Sequence, residues 1–117
     1  MKTLSFKTPY TTYDKVAVRL NNYHYGDRLY VGLLCWDNDY KYWEPLTTIT
    51  VNIPDEPITD KNCNFVDTNN NGMEIIGWLV EHGFAERTDR VGQSGFCTYP
   101  EMRFNLEALK EYELNFD

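Results

Sequence analysis

The most constraining feature of the chain is a two-residue hydrophobic alternation that recurs through its first half and ends at a pair of prolines. Val16, Val18 and Leu20 alternate with Lys15, Ala17, Arg19 and Asn21. Ile49, Val51 and Ile53 alternate with Thr48, Thr50 and Asn52. A strand sends successive side chains to opposite faces, so each pattern describes a strand with one buried and one wet face. Pro54 and Pro57 follow, and proline cannot donate to a sheet ladder.

The segments between fit an antiparallel meander. Leu4 and Phe6 alternate with polar neighbours and predict a first strand, and Tyr10 to Asp14 read as a turn. Arg28 to Trp36 is apolar on both faces and predicts a central strand, entered through a Gly26-Asp27 reversal. Asp37-Asn38-Asp39 supplies the next turn, its acids read as turn formers rather than as a metal pair.

The second half changes character. Asn62 to Val66 predicts a short strand. Asn71, with Glu74 three residues on, predicts a capping box opening a helix through Ile75, Ile76, Trp78, Leu79 and Val80, with Gly83 as its left-handed stop. Phe84 to Arg87 starts a further strand, Thr88 to Gly95 reads as a polar loop, and Phe96 to Phe104 is extended. Asn105 caps a last helix over Leu106 to Glu113. The expected fold is therefore α+β: an antiparallel β-meander sheet packed against one main helix, with a short C-terminal helix. A chain of 117 residues suits a single domain.

Charge divides the chain at Pro54. Residues 1–54 carry six Lys/Arg and five Asp/Glu, and residues 55–117 carry five Lys/Arg and thirteen Asp/Glu. The excess of carboxylates argues against direct binding to nucleic acid or an anionic membrane across the second half. The start lacks the continuous apolar run of a signal peptide, and no segment has the length of a membrane span. Three widely spaced cysteines, Cys35, Cys63 and Cys97, are no disulfide framework and fit a reducing compartment, so a cytoplasmic location is expected.

No motif carries chemistry convincingly. Asp67-Thr68-Asn69-Asn70-Asn71-Gly72 matches the first half of a calcium loop, but its twelfth position is Trp78 instead of glutamate, so turn formation and capping is the preferred reading. Gly92-Gln93-Ser94-Gly95 is not a nucleophile elbow. No catalytic residue, metal or cofactor is assigned. Two groups remain as binding candidates. One is the aromatic stretch from Tyr23 to Trp43, represented by Trp36, Tyr40 and Trp43. Tyrosine and tryptophan are favoured at interfaces, although cross-strand pairing alone accounts for such density. The other is the segment from Arg87 to Tyr99, with Arg90, Ser94 and Tyr99 as candidates, where Arg87, Arg90, Gly92 and Gly95 would suit a small anion-binding loop, although a flexible solvated loop is the preferred reading.

Three blocks carry a resemblance. They are Ile49-Thr50-Val51-Asn52-Ile53-Pro54-Asp55-Glu56-Pro57, then Asn64-Phe65-Val66-Asp67-Thr68-Asn69-Asn70, then Arg90-Val91-Gly92-Gln93-Ser94-Gly95-Phe96-Cys97-Thr98-Tyr99-Pro100 followed by Arg103-Phe104-Asn105. Together they resemble an uncharacterised family of small domains carried on conjugative elements, plasmids and phages of gut bacteria. The resemblance runs from Leu4 to Leu109, and Asp37 to Trp43 lies outside its pattern. It implies an accessory product of a mobile element and brings no activity. The function expected is non-enzymatic binding to a protein partner; the sequence leaves open the identity of that partner and the oligomeric state of the chain. An acidic DNA mimic acting on a host restriction or CRISPR nuclease, and an anion or nucleotide binder using the Arg87–Tyr99 loop, are the alternatives.

Overall fold

The computed structural model describes residues 2–114. Strands β1 (Leu4–Lys7), β2 (Thr12–Asn22), β3 (Leu29–Asp37) and β4 (Tyr42–Thr48) form the expected meander, antiparallel in the order β1-β2-β3-β4, here called sheet A. Turn chemistry explains its connections. Gly26 and Asp27 both take positive φ, and the Tyr23 amide donates to the Arg28 carbonyl to close that reversal. The Asp37 carboxylate accepts from the Asp39 and Tyr40 amides at 2.8 and 3.0 Å, an Asx turn.

The second half overturns the expected fold class. Beyond β5 (Thr50–Val51) and β6 (Cys63–Val66), Ala85–Ser94 is a strand, β7, and it pairs with β8 (Cys97–Phe104). These four strands build a second antiparallel sheet, sheet B, in the order β5-β6-β8-β7. The protein is 50% strand and 15% helix, so it is mostly β, not a single sheet packed against one main helix. The polar loop expected over Thr88 to Gly95 is the greater part of β7. It reads as a loop because β7 is an edge strand with only Ala85 and Gly92 buried, and a register shift between Arg87 and Val91 breaks its alternation.

The helices are small. Thr68–Asn71 forms α1 and Glu74–Glu81 forms α2, which buries Ile75, Ile76 and Leu79. Asn71 does not cap α2, which has Met73 at its N-cap and no side-chain cap. Asp67 caps α1 instead, accepting from the Asn70 amide at 3.1 Å and the Asn70 side chain at 2.7 Å. This is the capping role preferred for that loop from sequence. Asn71 turns its amide to Thr47, Thr48 and Asp67 and ties α1 to β4. Gly83, at φ 70°, follows α2 as expected. Asn105 caps α3 (Leu106–Lys110) through Ala108, and α3 ends earlier than the sequence pattern predicts.

The alternation Ile49, Val51, Ile53 does not belong to one strand. Ile49 donates its N–H to Val31 of β3 and accepts at its carbonyl from Asp67, beyond β6, so the chain passes from sheet A to sheet B at this residue. Ile49 consequently lies in the main core with Val18, Val31, Leu33, Phe84 and Met102, while Val51 and Ile53 join a second cluster around Phe65 and Tyr99. Buried Asn64 adds a tie, donating to the Leu29 carbonyl at 2.7 Å.

The back of sheet B holds a fully buried carboxylate. Glu101 accepts from the Thr59 amide at 2.8 Å, from the Thr59 hydroxyl at 2.6 Å and from the Thr88 hydroxyl. It fastens the proline-rich segment after β5 on one side and the irregular part of β7 on the other. Burial acts to raise its pKa, but the Thr59 and Thr88 hydroxyls and the Thr59 amide outweigh it, and the carboxyl titrates below its ordinary value.

Candidate functional site

The inward faces of sheet A are spent on the core, and its outer face carries the aromatic density of the sequence. Strand alternation sends Lys15, Ala17, Arg19 and Asn21 of β2 outward. Tyr30, Gly32, Leu34 and Trp36 of β3 lie beside them, and register sets Arg19 against Gly32, Ala17 against Leu34 and Asn21 against Tyr30. From β4 come Trp43 opposite Trp36, Pro45 opposite Leu34 and Thr48 opposite Gly32.

Trp36 and Trp43 meet edge to face with ring centroids 5.4 Å apart. The Lys15 ammonium lies 4.8 Å from the Trp36 ring centre and 5.6 Å from that of Trp43. Such a cation over two indoles is attracted by both ring faces and held in place. At the other end Tyr23 and Tyr30 pack edge to face at 5.4 Å, and the Tyr23 hydroxyl donates to the Thr50 carbonyl at 3.1 Å.

Between these ends Gly32, which has no side chain, leaves room for the Tyr30 ring. A Cβ there would lie 2.5 Å from the Tyr30 hydroxyl, so the tyrosine ring end rests over the glycine backbone. A cavity of about 150 Å³ opens here, lined by Arg19, Tyr30, Pro45 and Thr48 among others. A second hollow of about 300 Å³ shares Arg19 and Tyr30 with it and extends to Asn21, Tyr23 and His24. The outward positions of β2 include Lys15 and Arg19.

The strand edges are poor docking sites. Pro45 removes an N–H from the middle of β4, β1 is short and irregular, and β7 is broken by its register shift with Asp89 at φ 70°. Such features blunt an edge against strand addition.

Of the residues singled out from sequence, Trp36 and Trp43 come together. Tyr40 does not join them. It sits at the hairpin tip, 79% exposed, and packs on Tyr42, whose hydroxyl donates to Glu44 on the opposite face. Arg90, Ser94 and Tyr99 do not converge. The Arg90 guanidinium donates to the Pro57 carbonyl at 3.0 Å, Ser94 pairs with Cys97 beside the hairpin tip, and Tyr99 is buried with Ile53 and Phe65. Tyr30 belongs to the aromatic stretch named from sequence, whereas Lys15 was not singled out. The signal for Lys15 was the wet-face alternation of β2, which gains meaning only when β3 is laid against it.

The thiols are quiet. Burial pushes Cys63 up to about 11 and also raises Cys35, which keeps both protonated at neutral pH. No helix among the described residues is long and apolar enough to cross a membrane.

A family model described as Domain of unknown function (DUF4313) matches residues 17–116, and the chain belongs to that family. No curated protein and no solved structure matches it.

Proposed function

We propose that this member of the DUF4313 family is a non-enzymatic accessory protein of a mobile genetic element that works by binding another protein through the outer face of sheet A. The observation that carries the reading is the Trp36–Trp43 pair with Lys15 over both rings, near a hollow lined by Tyr30, Leu34, Pro45 and Thr48. Rigid aromatic anchors beside a cavity are the usual energetic centre of a protein interface. The mobile-element setting rests on the resemblance of the three sequence blocks.

The alternatives draw less from the geometry. A DNA mimic needs free carboxylates arrayed on one surface, whereas Asp60 and Glu86 both bind Arg103, Glu111 pairs with Lys2, and Glu101 is buried. A small-anion site on the Arg87–Tyr99 segment needs Arg90, Ser94 and Tyr99 to face one point, and Tyr99 is held in the second cluster.

Affinity capture from the host tests the proposal. The wild-type chain is expected to retain a defined protein that the Trp36→Ala/Trp43→Ala variant loses, while the variant still unfolds cooperatively. Equal retention by both proteins, or turnover of a substrate by rigorously pure wild type, overturns it.

A further inference from the structure

We propose that residues 53–61 form a strap that lifts from the outer face of sheet B as one unit while both sheets stay folded, with Glu101 as its latch. The register of β6 against β8 shows what the strap covers. Cys63 lies opposite Arg103 and Phe65 opposite Glu101, so these four side chains share one face with Tyr99. Met102 and Phe104 point the other way, into the main core. A face turned away from the core should be wet, yet Cys63, Phe65 and Glu101 are fully buried. The segment between β5 and β6 encloses them. Ile53 and Ile58 pack with Phe65 and Tyr99, Thr59 meets Glu101, and the Cys63 thiol donates to the Asp60 carboxylate at 3.4 Å.

Side chains, more than backbone, fasten this segment. The backbone bonds from Glu56 to Ile53 and from Cys63 to Asp60 close within the strap or at its foot. From outside, Arg28 donates to the Pro54 carbonyl at 3.1 Å, Arg90 to the Pro57 carbonyl at 3.0 Å and Arg103 to the Asp60 carboxylate at 3.1 Å. The Arg103–Asp60 pair lies partly in solvent, where an ion pair contributes little. Glu101 is the enclosed fastening. It takes both the amide and the hydroxyl of Thr59, and bonds to an ionised acceptor are stronger than neutral ones. Thr88 of β7 holds the same carboxylate from the other side, so the latch stays with the sheet when the strap leaves.

The two sides of sheet B are therefore unequal. The inner side shares a large apolar cluster with sheet A, whereas the strap adds Ile53 and Ile58 to a small one. At the head of the strap, Arg28 Nη1 and Asn52 Oδ1 are buried without a hydrogen-bond partner, a cost that lifting relieves. Segments with few buried apolar contacts and mainly polar fastenings are the ones that open below the free energy of global unfolding. Lifting would bare Phe65, Tyr99, Cys63 and the Glu101 carboxylate and leave the ladders of both sheets intact.

The test uses Cys63 as the reporter, because its thiol is enclosed while the strap is down. The full chain is treated with a slow, uncharged alkylating reagent in rising urea below the unfolding transition, and the initial rate at Cys63 is followed by site-resolved mass spectrometry. A slow reagent reads the open fraction. Hydrogen exchange of the β2 and β3 amides in the same solutions reads global opening. The Cys63 rate is expected to stay nearly flat in urea while the amide exchange climbs, because a local opening exposes little surface. Glu101→Gln should raise the Cys63 rate by about tenfold or more in the absence of urea. Should that variant fold poorly, Thr59→Val removes one latch donor at an exposed position and is expected to raise the rate in the same direction. A Cys63 rate that climbs in parallel with the amide exchange would mean that the strap leaves only with the whole fold, and overturns the inference. So does a Cys63 rate that neither substitution raises.

Discussion

Glu101→Gln is expected to lower the stability of the protein by about 2–3 kcal/mol at neutral pH. The carboxylate accepts three hydrogen bonds, two from Thr59 and one from Thr88, at a site fully closed to solvent. A carboxamide offers one oxygen in place of two and turns an N–H₂ group toward donors that need an acceptor. The segment around Thr59 and the irregular part of β7 should loosen together, because both are held by this one group. The pH dependence follows from its lowered pKa. The folded carboxyl titrates below the unfolded value of about 4.3, so its contribution is present above that pH and is lost as pH falls through the folded pKa. Chemical denaturation of wild type and variant across the acidic range measures this. The gap between the two proteins should be widest at neutral pH and narrow in acid. A gap that stayed constant below the folded pKa would show that Glu101 stabilises by shape and not by charge.

Phe65→Ala is expected to cost about 3–5 kcal/mol, the range for emptying a buried aromatic site. Phe65 is fully buried in β6 and is the most deeply buried member of the second cluster, with Ile53 and Tyr99. Gly92 runs so close over it that a Cβ there would lie 2.7 Å from the ring, so backbone and ring are already in contact. The cavity should be poorly filled, since its walls are sheet backbone. Thermal unfolding checks the magnitude. A loss below about 1 kcal/mol would mean that this cluster is not an independent source of stability.

The meander was legible because β2 alternates and β3 is a nearly continuous apolar run. Its turns are written in Gly26, Asp27 and Asp37. Sheet B was not, and the reason is physical. Strand β7 is an edge with two buried residues in ten, and its charged residues, Glu86, Arg87, Asp89 and Arg90, describe solvent exposure equally in a strand or a loop. The helix signal misled in the same direction. Ile75, Ile76 and Leu79 do pack inward, but α2 spans only eight residues and shares the core with both sheets. At the candidate site, aromatic density pointed to Trp36 and Trp43, yet composition alone placed Tyr40 with them. The hairpin tip sends Tyr40 toward Tyr42, and β-strand parity puts Tyr42 on the face opposite Trp43. The position of Lys15 beside Trp36 and Trp43 depends on the register of β2 against β3, a long-range fact that no local pattern states.

The proposed contact surface is the outer face of sheet A and not the β7–β8 hairpin, whose tip residue Phe96 is fully exposed. Site-specific photo-crosslinking separates the two. A photoreactive residue is placed at Pro45 in one protein and at Phe96 in another, and each is irradiated in host cells. The account predicts a discrete crosslinked protein from position 45 that disappears when Trp36 and Trp43 are replaced by alanine, and none from position 96. A crosslink from position 96 alone, or one from position 45 that persists without the tryptophans, would contradict it.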